Sequence, residues 1–260
     1  MLLHYTETGY LIMLPYQNPR RIIDAMLETG YSEEFCVSLD FRPDFIARLM
    51  AAGFLVMSTK VDNATDEAPA ADPKSTAPDP DEQYILLPKL HLTRSALFFD
   101  RLHIKKSVRR YLDHYELRPD ADFDFIVNRC QEIHGEDWLT RPLIAAIRNI
   151  RQRRLQGVYP MSFALYRNGK LAAGEFGVKV GRVYTSYSGY YDENNAGTVQ
   201  LILTTRWLRE NGFDFFDLGM PMDYKTALGA ADISPKDFIA LFRAAQCCQG
   251  NTLTQDNAAP

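Results

Sequence analysis

An α+β fold is predicted for this 260-residue chain by three features of its sequence. Up to about residue 157 the apolar residues recur with a helical period, and after it they alternate with a period of two. Between Ser162 and Tyr191 three alternating runs are joined by the turns Arg167-Asn-Gly-Lys170 and Gly181-Arg182, and Asn-Gly between apolar runs is a strong hairpin signal. Helical spacing then returns over 196–211, ahead of a last short apolar run at 213–218. A meander, a crossover helix and a further strand therefore share one sheet.

The elements follow in order. Asn18-Pro19 opens an amphipathic helix over 20–28, ended by Gly30, and Pro43 opens a second over 44–52, closed by Gly53. In the second, Phe45, Ile46, Leu49 and Met50 share one face and read as packing residues. Residues 62–82 hold seven acids, four prolines and one lysine, with no aromatic residue, so they cannot bury enough apolar area to offset the entropy of ordering. They read as a linker or loop. Residues 84–87 read as a short strand, and 95–101 and 123–133 as helices. Thr140 is placed to cap a helix reaching Leu155, with Pro142 in its first turn and Leu143, Ile147 and Ile150 along its inner stripe. The predicted organisation is a small N-terminal module (1–61), the acidic segment (62–82), the α+β domain (83–246) and a flexible tail (247–260), without internal repeats.

Composition narrows the function. Hydrophobic residues at 46% and aromatic residues at 12% are enough for a sizeable core. The longest apolar runs, such as 53–57, are far short of a membrane span, and the first residues lack a secretory pattern. Four cysteines, at 36, 130, 247 and 248, fit no metal-ligand spacing. The expectation is a reduced, cytoplasmic, monomeric protein without membrane contact, metal or cofactor.

The net charge of −4 is unevenly spread. Residues 62–82 alone carry −7 + 1 = −6, which leaves +2 on the rest of the chain. No acid occurs between Asp137 and Glu175, where Arg141, Arg148, Arg151, Arg153, Arg154, Arg167 and Lys170 all fall. A second basic run holds Arg101, Lys105, Lys106, Arg109 and Arg110. Such clusters suit phosphate contacts. For Arg151, Arg153 and Arg154 the alternative is a favourable meeting with a helix C-terminus.

The order of elements after residue 157 matches the core of the GNAT acyltransferase architecture. More specific residues carry a family resemblance. Leu90-His-Leu-Thr-Arg-Ser95 resembles the "LHxSRS" signature of the leucyl/phenylalanyl-tRNA–protein transferase family, and Trp138-Leu-Thr-Arg141 its "TWIT" segment. Asp217, Asp223 and Ala227-Leu-Gly-Ala230 are similar in spacing to "DCQxxNxHxxSLGA", and 233–238 to the "IPRxxF/Y" run after it. Where that family has Asp-x-Gln, this chain has Asp217-Leu218-Gly219; where it has "GES", this chain has Ser186-Tyr187-Ser188.

The resemblance implies an aminoacyltransferase that moves Leu or Phe from aminoacyl-tRNA to a protein N-terminus, marking it for degradation, on a GNAT-like domain preceded by a small one. It implies Asp217 and Asp223 as catalytic carboxylates, with Trp138, Arg141, Tyr187, Ser188 and Gly219 at the substrates. The tRNA would meet Arg94, Lys105, Lys106, Arg109, Arg148, Arg151 and Arg154. A carboxylate at Asp217 can orient the attacking amine or accept its proton through water, or else cap the turn before Gly219. Trp138 is either a stacking platform or a core residue, and His91 reads as a packed histidine. Tyr187 and Ser188, adjacent on a strand, are expected to face opposite sides of the sheet. An acyl-CoA enzyme is disfavoured, because Asp192-Glu-Asn-Asn-Ala-Gly197 lacks a glycine-rich pyrophosphate loop. A relative that binds tRNA or peptide N-termini without catalysis stays open.

Overall fold

The computed structural model describes residues 3–61 and 82–247. The acidic segment and the tail, apart from Glu82 and Cys247, lie outside the described residues. Near the N-terminus β1 (Leu11–Ile12) and β2 (Cys36–Val37) pair in parallel, and α1 (Pro19–Thr29) connects them. The Asn18 side chain accepts from the Arg20 N–H at 3.0 Å, which fixes the start of α1 at the expected Asn-Pro pair. Next, α2 (Pro43–Ala52) buries Phe45, Ile46, Leu49 and Met50.

The acidic segment joins two strands that pair with each other. β3 (Leu55–Val61) runs antiparallel to β4 (Gln83–Lys89), from Leu55 opposite Lys89 to Val61 opposite Gln83. These two strands thus pair across the boundary expected at 83. Composition gives no sign that the flanks of 62–82 find each other.

A second difference lies at 95–101, expected as a helix. It forms β5 (Arg94–Leu97) and a single 3-10 turn, Phe99–Arg101. All four β5 residues are buried because the strand sits inside a sheet, and pairing on both edges overrides local propensity. After it come α3 (Lys106–Arg109), β6 (Glu116–Pro119), α4 (Phe123–His134) and α5 (Arg141–Arg153). Thr140 precedes α5 but makes no side-chain cap; its hydroxyl meets Ser58 Oγ at 2.7 Å instead.

The meander is β7 (Val158–Arg167), β8 (Lys170–Val180) and β9 (Val183–Tyr191), followed by α6 (Ala196–Glu210) and β10 (Phe215–Asp217). The chain then forms α7 (Asp223–Ala227), β11 (Ala231–Ile233) and α8 (Pro235–Cys247). The resulting seven-stranded sheet has the order β11-β5-β10-β9-β8-β7-β6. β9 and β10 pair in parallel while the other neighbours are antiparallel. One face carries α4, α5, α8 and the N-terminal module in a continuous core that includes Phe45, Ile126, Ile147, Phe176 and Phe242. The other carries α6, against Phe163, Tyr184 and Phe216 at one end and Leu165 and Ala172 at the other.

Two irregularities of the sheet open a cavity and set its lining. The β9–β10 pairing ends at Thr185 opposite Asp217, and the chain beyond β10 leaves the sheet. In β8–β9, Gly177 opposes Ser186 while Phe176 opposes Ser188, so Tyr187 is the extra residue of a β-bulge.

Candidate active site

Where β9 and the chain after β10 separate, a cavity of about 430 Å³ opens between the sheet and the N-terminal module. Leu55 and Met57 of β3, Trp138 of the α4–α5 loop, and Leu218, Met220 and Met222 after β10 form its apolar wall. His91, Ser186, Ser188, Tyr224 and Lys225 give it a polar side. The Trp138 carbonyl accepts from the Ser58 N–H at 3.0 Å, which ties the tryptophan's loop to β3. A larger groove of about 1010 Å³ on the N-terminal module is almost wholly apolar and lies apart from these groups.

Of the residues expected at the substrates, Trp138, Tyr187, Ser188 and Gly219 border this cavity. Tyr187 and Ser188 do so together, contrary to the expectation from strand alternation, because the bulge at Tyr187 breaks the period. The Tyr187 hydroxyl accepts from the Val56 N–H at 3.1 Å, and burial pushes its phenol pKa up. Arg141 points elsewhere, to Glu136 at 3.1 Å on the surface.

Asp217 stands behind the wall. It is fully buried, with Arg94 Nε donating to Oδ1 at 2.8 Å and Arg94 Nη2 to Oδ2 at 2.6 Å. Thr185 Oγ1 donates to Oδ2 at 2.8 Å and the Gly219 N–H to Oδ1 at 3.0 Å. Four donors leave this carboxylate no free access to a substrate amine. It ties β5, β9 and the turn after β10 together. Arg94, expected at tRNA, is itself 1% exposed, its guanidinium 4.2 Å from the centre of the Phe238 ring. A phosphate does not reach it. Asp223 is exposed at the start of α7, while its neighbours Met222, Tyr224 and Lys225 line the cavity. Gly219 has φ +71°, a backbone state in which a side chain is strained, and a Cβ there would lie 3.8 Å from His91 Nε2.

Three further groups stand at the site: His91, expected only as a packed histidine, and Lys225 and Glu175, for which no role was expected. His91 is buried with Nε2 unpartnered among the described residues. Burial first, then the charges of Arg94, Lys89 and Lys225, push its pKa from 6.5 down to about 2, so the ring is neutral. Lys225 donates to the carbonyls of Leu218 at 2.6 Å and Met220 at 2.8 Å, fixing the loop after β10, and burial lowers its pKa. Glu175 of β8 borders a second chamber of about 490 Å³ that shares Ser186, Gly189, Leu201 and Tyr224 with the first. The one sequence signal for Glu175 was an acid inside an apolar, glycine-flanked strand.

The basic residues fall into two groups on opposite faces of the sheet. Arg148 meets Asp124 at 2.7 Å, Arg151 meets Asp120 at 2.7 Å, and Arg154 lies over the Tyr159 ring, all on the face of α4 and α5. Lys105 immediately precedes α3 and Lys106 and Arg109 are its first and last residues, while its Val108 packs with Ala196 and Val199 of α6. This second group has no acidic ion-pair partner among the described residues. Among the described residues no group of His, Cys, Asp or Glu could hold a metal ion, and no helix is long and apolar enough to cross a membrane.

Comparison of the sequence with known proteins places the chain in a family. Residues 96–243 match the family described as Leucyl/phenylalanyl-tRNA protein transferase. The chain belongs to that family. Among curated relatives, the Leucyl/phenylalanyl-tRNA--protein transferase of Pseudomonas entomophila (strain L48) is 28% identical over 150 residues, covering 56% of this chain and 65% of that one. The protein of the same name from Pseudomonas fluorescens (strain SBW25) is 30% identical over 155 residues, covering 58% and 67%. The chain thus spans about two thirds of the length of these relatives. Among solved structures, L-PGS from Bacillus licheniformis aligns at a TM-score of 0.43 and 11% identity, over 94% of this chain and 88% of that one.

Proposed function

We propose that this family member is an aminoacyltransferase that moves leucine, phenylalanine or a similar apolar amino acid from aminoacyl-tRNA to the N-terminal amine of a protein, marking it for degradation. The observation that carries the reading is the cavity at the β9/β10 divergence, apolar on one side and polar on the other. We also read the meander β6–β9, the crossover α6 and the parallel β9–β10 pair as a GNAT-like core.

The apolar wall of Leu55, Met57, Trp138 and Met220 takes the amino-acid side chain of the donor, burying it from water. The ester carbonyl then faces the polar side. Lys225 keeps a third N–H beyond the two held by Leu218 and Met220, and neutral His91 offers Nε2 as a donor in one tautomer. Donors held in place before reaction stabilise the tetrahedral oxyanion without reorganising. As the new N–C bond forms, the ester C–O bond breaks and the terminal ribose leaves as its hydroxyl. No covalent enzyme intermediate is needed, because both reactants are held together.

The test is an assay with charged leucyl- or phenylalanyl-tRNA and peptides bearing different first residues. Transfer to a free peptide amine is the expected result. Binding of tRNA without transfer, or transfer from an acyl-CoA instead, would overturn the proposal.

A further inference from the structure

Glu175 is a buried carboxyl group with no ion-pair partner among the described residues, beside the hydroxyls of Tyr184 and Ser186. It is 3% exposed in the middle of β8, and Oε1 has no hydrogen-bond partner among the described residues. A buried polar atom without a partner costs about 1–3 kcal/mol, so such groups call for an explanation. Replacing Glu175 with an apolar residue would remove that cost, and no ion pair would be lost with it. What it does have is a chamber. Ser186 and Tyr224, which border it beside Glu175, also border the cavity proposed to hold the aminoacyl ester. Tyr190 and Tyr191 stand along the same chamber with Asn194 and Asn195. A carboxyl group among aromatic rings and neutral amides is a setting that favours an organic cation.

We propose that Glu175 receives the N-terminal ammonium of the acceptor where the two chambers meet and takes its proton. This rests on the aminoacyl-transfer reading. The step is an acid–base exchange in which the ammonium and the carboxylate become a neutral amine and a carboxylic acid. The amine nitrogen then attacks the ester carbonyl. After attack, the second proton leaves nitrogen through the Glu175 carboxyl group and ends on the ribose oxygen. One proton per turnover is released to solvent, which returns the carboxylate. Asp217 cannot serve in this way, because four donors already occupy it.

The surroundings suit the exchange. Burial raises the Glu175 pKa from 4.5 to about 7, while the adjacent hydroxyls of Tyr184 and Ser186 on β9 and the charge of Lys225 on α7 pull it back. Gln200 of α6 and Tyr224 of α7 are the further polar neighbours along the chamber, and Cys130 of α4, a thiol kept protonated by burial, lies on the opposite side of the sheet. A base with a pKa near the working pH is half ionised there and most effective in proton transfer.

The experiment compares the purified full chain with Glu175→Gln by calorimetry, at several pH values, with one peptide carrying a free N-terminal amine and its N-acetylated form. Expected is binding of the free-amine peptide to the original protein at least tenfold tighter than of the acetylated one. That preference should strengthen as pH rises from 6 to 8 and vanish in Glu175→Gln. Where transfer is also seen, Glu175→Gln should lower kcat about a hundredfold and flatten the acid limb of the pH–rate profile. No preference for the free amine in the original protein, or a preference kept in Glu175→Gln, overturns the proposal. Because binding needs no charged tRNA, the result is independent of whether aminoacyl transfer itself is observed.

Discussion

Arg94 and Asp217, 123 positions apart in sequence, form a two-pronged ion pair inside the sheet, at 2.8 and 2.6 Å. Each belongs to a segment whose family resemblance pointed to chemistry, and each is instead held by the other. The pair joins β5 to β10, and Thr185 joins β9 to it. The loop that walls the cavity hangs from this knot through Gly219.

Breaking one side of that pair leaves a buried charge without its partner, which costs about 3–5 kcal/mol. Asp217→Asn and Arg94→Met should each lose stability of this order in urea unfolding. The double variant Arg94→Met/Asp217→Leu should lose less than the sum, since no charge then remains buried. Asp217→Asn should also slow transfer by loosening the cavity wall, with the shape of the pH–rate profile unchanged. A pH profile that loses its acid limb in Asp217→Asn would return Asp217 to the role of base.

Glu175 and His91 act on stability with opposite signs. His91 titrates near 6.5 unfolded and about 2 folded, so the unfolded chain binds the extra proton between these values and stability rises with pH across them. Glu175 titrates near 4.5 unfolded and about 7 folded, so there the folded chain binds the extra proton and stability falls as pH rises. Between pH 4.5 and 6.5 the two slopes cancel. Glu175→Gln should expose the rising slope, its stability relative to the original protein growing by about 3 kcal/mol from pH 4.5 to 7. His91→Gln should expose the falling one. Unfolding curves at four pH values decide, and parallel profiles for both variants would contradict these ionisation states.

The bulge at Tyr187 has its own test. A Cβ on Gly177 would stand 2.2 Å from the Thr185 carbonyl oxygen and 2.7 Å from the Tyr184 hydroxyl. Something in the backbone must move to admit it. Gly177→Ala should cost several kcal/mol, shown as a lower thermal midpoint, and should abolish transfer by disturbing Ser186, Tyr187 and Ser188 together. Gly169→Ala, in an open turn, meets no atom within 4 Å and should cost only the strain of its positive φ.

Much of this architecture was legible in sequence because its signals are local. The Asn-Gly turn, the helix period of α4 and α6 and the proline starts of α1 and α2 each act within a few residues. β5 was not legible, since Arg94, Ser95, Ala96 and Leu97 become a strand only through β10 and β11 on either side. The site divides in the same way. Trp138 and Gly219 stood out by type and position, whereas the partnership of Arg94 with Asp217 is a long-range contact that no spacing reveals. Glu175 was visible only as an acid in an apolar strand, and its meaning depends on Ser186 and Tyr224 beside it. The bulge placed Tyr187 and Ser188 on one cavity by breaking the very alternation used to separate them.

The two basic groups, finally, can be told apart by tRNA binding. Arg148 and Arg151 are held by Asp124 and Asp120, so a phosphate must compete with a carboxylate already in place. Lys105, Lys106 and Arg109 carry no such partner among the described residues and stand on the face of α6, whose first turn lies at the second chamber. Contact with tRNA phosphates releases counterions, and each lost contact lowers the salt slope by about 0.7–0.9. Lys105→Gln/Lys106→Gln should therefore weaken tRNA binding and lower the slope of log K against log salt by about 1.4–1.8. Arg148→Gln should change neither measurably. Filter binding of charged tRNA at four salt concentrations reads both quantities, and a larger effect from Arg148→Gln would move the tRNA to the opposite face of the sheet.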